Sequence, residues 1–100
     1  MEMDDVRDKL EKELNTVEWP ALKPHAERGA LFLLSQKNDL VEVGARVAAD
    51  DKAYIQALLE ANQLQRVEPE QIKSLDQSPS TTFVFVIVQP YVFAQEVLKQ

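Results

Sequence analysis

The chain has 100 residues, 45% of them hydrophobic and 28% charged, a balance that fits one compact soluble domain and a length too short for two. Cysteine is absent and His25 is the one histidine, which excludes a disulfide framework, thiolate chemistry, Cys-based zinc or iron-sulfur sites and a His-rich metal centre. Eleven Lys/Arg against seventeen Asp/Glu leave a formal charge of -6 with no basic cluster, so the phosphate neutralisation that supplies most nucleic-acid affinity has no footprint here.

With Gly29 and Gly44 as the only glycines, no phosphate-cradling loop of the Walker or dinucleotide type can be written. The acidic start Met1-Glu2-Met3-Asp4-Asp5 has neither the positive nor the apolar region of a signal peptide. The longest apolar run, Phe83 to Val88, falls far short of the ~20 residues of a spanning helix. A cytoplasmic, soluble protein without a membrane segment is expected.

Val6, Leu10, Leu14 and Val17 recur at spacings of four, four and three, which predicts an amphipathic first helix with Asp4 and Asp5 at the positive end of its dipole. Its outer face carries Arg7/Glu11, Asp8/Lys12 and Lys9/Glu13 as i,i+4 pairs, the mark of a solvated face. Trp19-Pro20 breaks the pattern. Pro20 suits the first turn of a short second helix that ends near Arg28 with Gly29 beyond its C-cap, and Pro24 fits that helix only if it still lies in the first turn.

Ala30 to Ser35 reads as the first strand, and the polar cluster Gln36-Lys37-Asn38-Asp39 as the turn after it. Asp39 is the expected N-cap of a helix with Leu40, Val43, Gly44 and Val47 on one face. Asp50 or Asp51 caps the next helix, with Tyr54, Ile55, Leu58 and Leu59 as its buried stripe and Asn62 closing it. Leu64 to Val67 forms a second strand, and Pro69 opens a brief helix through Ile72 and Leu75. Thr81 to Val88, almost wholly β-branched or aromatic, is the third strand, stopped or bulged at Gln89-Pro90. Tyr91 to Phe93 can resume as a strand, and Gln95 to Gln100 make a tail or helix turn.

The elements define an α+β fold: a small three-stranded, mainly antiparallel sheet packed with three to four helices, the connections being too irregular for repeated parallel βαβ units. Neither repeat nor linker divides residues 1 to 100. In the third strand Phe83, Phe85 and Ile87 point to one face and Val84, Val86 and Val88 to the other, so both faces must be covered, by helices of the same chain or by another subunit.

Four constellations merit weighing. Asp50-Asp51 offers oxygen ligands for a hard cation, but helix capping accounts for both carboxylates without a metal. His25, near Glu27 and Arg28, has the side-chain type of a general base and no nucleophile assigned to it. Trp19, Tyr91 and Phe93 are aromatics suited either to a core or to an interface. The two helices joined at residue 50, followed by strands, are compatible with a winged-helix plan. The outward residues Lys52, Gln56 and Glu60 of its would-be recognition helix carry little positive charge for phosphate or guanine.

Leu40-Val41-Glu42-Val43 leading through Ala48-Ala49-Asp50-Asp51, together with Ala26-Glu27-Arg28-Gly29-Ala30 and Phe85-Val86-Ile87-Val88-Gln89-Pro90-Tyr91-Val92 with Gln95, resembles the DUF2288 family of small bacterial proteins over nearly the whole chain. The resemblance implies a bacterial, cytoplasmic, single-domain protein and brings no activity, cofactor or site. It marks the acidic pair and the Gln-Pro corner as landmarks, and Pro24 as a departure from a more regular helix.

The expectation is a non-enzymatic protein-interaction or regulatory domain with an unidentified protein partner or a second copy of itself. Its interface residues are taken to be Val84, Val86, Val88, Tyr91 and Phe93. Catalytic, metal-ligating and cofactor-binding residues are expected to be none, and nucleic acid and membrane are not expected as partners. The competing readings are a winged-helix nucleic-acid binder, with Lys52 and Arg66 on phosphates, and a small enzyme built on carboxylates.

Overall fold

The structure is a computed structural model that describes residues 3–97. The side chains of Asp4 and Asp5, and residues 98–100 of the expected tail, lie outside the described part. The elements in order are α1 (Met3–Glu13), β1 (Asn15–Glu18), α2 (Trp19–Glu27), β2 (Leu31–Leu34) and α3 (Leu40–Ala48). They continue with α4 (Lys52–Glu60), β3 (Leu64–Arg66), α5 (Pro69–Asp76), β4 (Thr82–Val88) and β5 (Tyr91–Glu96).

The fold is α+β, with five strands where three were expected. They form one mixed sheet in the order β1-β4-β5-β2-β3, antiparallel throughout except for the β2–β5 pair. One of the five was hidden in the pattern, and one was read only in part, at Tyr91 to Phe93. Val17 falls three residues after Leu14 and so reads as a helix position, yet the helix stops at Glu13 and Val17 pairs with Phe83 along the sheet edge. At Gln89-Pro90, a cis peptide, the chain reverses, so Tyr91 begins a separate antiparallel strand and does not extend β4.

Helices cover both faces of the sheet, which differs from the helix cluster with an appended wing of a winged-helix protein. By strand alternation and register, Val84, Val86, Val88, Tyr91, Phe93, Phe32, Leu34 and Leu64 share one face. There α1 and α3 supply Leu10, Leu40, Val43 and Ala45 to a core around Val86, with Val6, Leu14, Val84 and Val88 at its margin. The opposite face carries Phe83, Val92, Ala94 and Leu31 against Trp19, Leu22 and Ala26 of α2, with Ile72 and Leu75 of α5 beside them. Helices of the same chain thus cover most of both faces of β4, leaving Ile87 43% exposed.

Three helices end in the same way. At α2, α3 and α4 the residue after the C-cap takes positive φ, Gly29 at 75°, Asp50 at 60° and Asn62 at 60°. Each is closed by a pair of backbone bonds: Ala30 N–H to His25 and Gly29 N–H to Ala26, Asp51 to Arg46 and Asp50 to Val47, Gln63 to Leu58 and Asn62 to Leu59. This is the Schellman arrangement, which satisfies carbonyls the helix end would otherwise orphan. Pro24 lies in the interior of α2, beyond its first turn, so the helix tolerates the forgone bond to Pro20.

Candidate functional site

The junction of α3 and α4 is fixed by local chemistry. Asp39 starts α3 by accepting from the N–H groups of Val41 and Glu42 at 2.9 and 3.3 Å. Asp51 starts α4: one oxygen accepts from Tyr54 N–H at 3.2 Å and the other from Arg46 at 2.9 Å. Arg46 also binds Glu42 at 2.7 Å, and its guanidinium lies 4.8 Å from the centre of the Tyr54 ring. Arg7 of α1 reaches the other oxygen of Glu42. The Arg46 guanidinium, with help from the Tyr54 amide, holds the Asp51 carboxyl below its ordinary value. Burial pushes the Tyr54 phenol up, with the Glu42 charge adding to it.

So held, α4 packs only partly on the sheet. Tyr54, Ile55 and Leu58 reach the first core from its margin, no α4 residue is fully buried, and Leu59 is 37% exposed. The expected buried stripe is thus a half-buried one, because α4 lies at the end of the sheet, beside α3 and over the three-residue β3.

Between α4 and the sheet opens a cleft of about 390 Å³. Its floor is aromatic: Phe32 stacks on its register partner Phe93 at 5.6 Å between ring centres, and Tyr91 meets Phe32 edge-on at 5.7 Å. Val47, Ile55, Leu59 and Leu64 complete the apolar wall, and Asp50, Asp51, Lys52 and Gln56 form the rim. Phe93 is buried, whereas Tyr91 is 42% exposed, so the cleft faces solvent along its Leu59 and Tyr91 side.

The residues singled out from sequence are thereby separated. Val86 is fully buried, Val84 and Val88 are half-buried beneath α1 and α3, and Phe93 is interior. Of the five expected interface residues Tyr91 alone is openly exposed. Trp19 sits in the core of the opposite face, its indole N–H donating to Asp76 at 2.9 Å, remote in layer from Tyr91 and Phe93. His25 accepts a bond from Arg28 at its Nδ1, and no nucleophile is hydrogen-bonded to it among the described residues. Asp51 has both oxygens engaged, which leaves Asp50 as the open member of the acidic pair. No group of three or more metal-ligating side chains occurs among the described residues. Lys52, Gln56 and Glu60 are exposed on α4 as expected, with Gln56 donating to Glu60 at 3.0 Å.

Sequence reasoning missed Phe32, Ile55 and Leu59 as cleft residues. The signal available was the width of the α4 stripe, four large side chains in a nine-residue helix, more than one face against a short strand buries.

A mixed sheet with helices on both faces and an open apolar cleft beside one helix define a small α+β domain. The chain belongs to the DUF2288 family, described as proteins of unknown function, whose model matches residues 5–96. It is similar to PA1075 from Pseudomonas aeruginosa, solved by NMR in solution, at 33% identity with a TM-score of 0.79, covering 95% of this chain and 87% of that one. No curated protein matches the sequence. No described helix is long and apolar enough to cross a membrane.

Proposed function

We propose that the protein is a non-enzymatic interaction domain, a single folding unit of the cytoplasm, that docks a protein partner in the cleft between α4 and Tyr91. The carrying observation is that Leu59 and Tyr91, two of the four large apolar residues exposed in the described chain, line the same concave site. Apolar surface concentrated around a pre-formed cleft is the usual signature of a binding site, and a volume of about 390 Å³ falls within the common range for one. An enzyme reading lacks support of this kind: the two lowered carboxyls, Asp51 and Asp76, owe their shifts first to hydrogen bonds with Arg46 and Trp19.

The test is affinity capture from native cell extract after nuclease treatment, with wild type and Leu59→Glu compared and the mass of each checked by light scattering. A protein retained by wild type and lost on Leu59→Glu supports the reading. Retention by both variants places docking elsewhere and contradicts it. Capture of nuclease-sensitive material alone favours a nucleic-acid role, and a wild-type dimer that Leu59→Glu separates identifies the partner as a second copy.

A further inference from the structure

We infer that the occupant of the cleft is a peptide segment with one bulky apolar side chain flanked by lysine or arginine. This rests on the docking reading above and adds the chemistry of the partner. The Phe32, Phe93 and Tyr91 rings provide a floor for a single large side chain, aliphatic or aromatic. The open Leu59 and Tyr91 side lets a main chain run across the mouth, which a closed cavity would forbid.

The rim chooses the charge. Asp51 is neutralised by Arg46 and the Tyr54 amide, but Asp50 makes no side-chain bond to any described residue. A second carboxylate, Glu60, stands outside the lining itself, exposed on α4 next to Leu59 and bonded to the lining residue Gln56. Against these stands one rim cation, Lys52. The long-range field agrees in sign, since the whole chain carries -6 and attracts a cationic segment in the encounter. The half-exposed Tyr91 ring offers the same group a cation-π face.

Three blocked tripeptides test the inference: acetyl-Trp-Lys-Lys-amide, acetyl-Trp-Gln-Gln-amide and acetyl-Trp-Glu-Glu-amide, each titrated into the full-length 15N-labelled protein and followed by amide shifts. The expected result is a common set of shifted residues around Ile55, Leu59 and Tyr91, with affinity falling in the order Lys, Gln, Glu and the spread narrowing in salt. Asp50→Asn, which retains a side chain that tolerates positive φ, weakens the lysine peptide about two- to fivefold, the size of one exposed ion pair. It leaves the glutamine peptide unchanged. Lys52→Ala tightens the lysine peptide by a similar factor. Binding at the cleft without that order overturns the charge inference and leaves the docking reading standing. Absence of shifts at the cleft with all three peptides overturns both.

Discussion

Trp19 and Asp76 tie α2 to α5: the buried indole donates its N–H to the carboxylate at 2.9 Å, and the other carboxylate oxygen takes Lys23 at 3.0 Å. The bond from Trp19, followed by that from Lys23, holds the Asp76 carboxyl below its ordinary value. A carboxyl lowered by folding contributes stability that is present above its unfolded pKa and lost as pH falls through the folded one. Asp51 acts with the same sign. Stability therefore declines below about pH 4. Asp76→Asn keeps an acceptor for the indole and removes one titration, so denaturant unfolding at pH 7 and pH 3 shows a smaller acid loss in the variant; an equal loss contradicts the assignment.

Gly44 sets the distance between α3 and α1. A Cβ built there would stand 3.1 Å from Leu10 Cδ1 and 3.4 Å from Val86 Cγ2. One methyl is thus tight, and the gain in helix propensity offsets part of its cost, whereas a branched side chain has nowhere to go. Gly44→Val destabilises by about 1–3 kcal/mol. Amide exchange reads the consequence, with α1 losing protection before α2; uniform protection speaks against this packing.

Val86 was a natural choice for an interface and is instead wholly interior. Val86→Glu leaves an unpaired charge in the core and costs about 3–5 kcal/mol. Circular dichroism and light scattering separate the alternatives: a broad loss of structure fits the account, while a folded protein of lower mass fits a subunit interface on this face.

Asp50 occupies at φ 60° a helix-ending position where Gly29 serves α2. Glycine has no Cβ penalty in that region, so Asp50→Gly stabilises by about 0.5–1 kcal/mol. Asn62→Gly, in the same conformation after α4, is the matched control. Thermal unfolding checks both, and a destabilised Asp50→Gly would show that the carboxylate itself supports the α3–α4 turn.

Much of the fold was legible because the relevant signals are local. Asp39 as a cap, Gly29 and Asn62 as helix endings and Pro69 at a helix start depend on a few neighbouring residues, and all take those roles. Strand number was not local. Edge strand β1 is four residues long, with Val17 alone turned inward, and its identity comes from pairing with β4 more than sixty residues away. The cleft was hidden for a related reason. Ile55 and Leu59 look like core on the periodicity of α4, and their partial exposure follows from the shortness of β3 and from the turn that brings Tyr91 opposite them. Tyr91 was singled out only as an aromatic suited to a core or an interface, with no cleft attached to it.

The central claim is that the cleft between α4 and β5 receives an apolar partner group. Titration of uncharged acetyl-Trp-Leu-amide into 15N-labelled wild type and Leu59→Glu tests it most directly, independently of charge. The account predicts amide shifts confined to the neighbourhoods of Phe32, Ile55, Leu59 and Tyr91, abolished in a folded Leu59→Glu protein. Shifts centred elsewhere, at the exposed Ile87 for example, or shifts that survive Leu59→Glu, would contradict it.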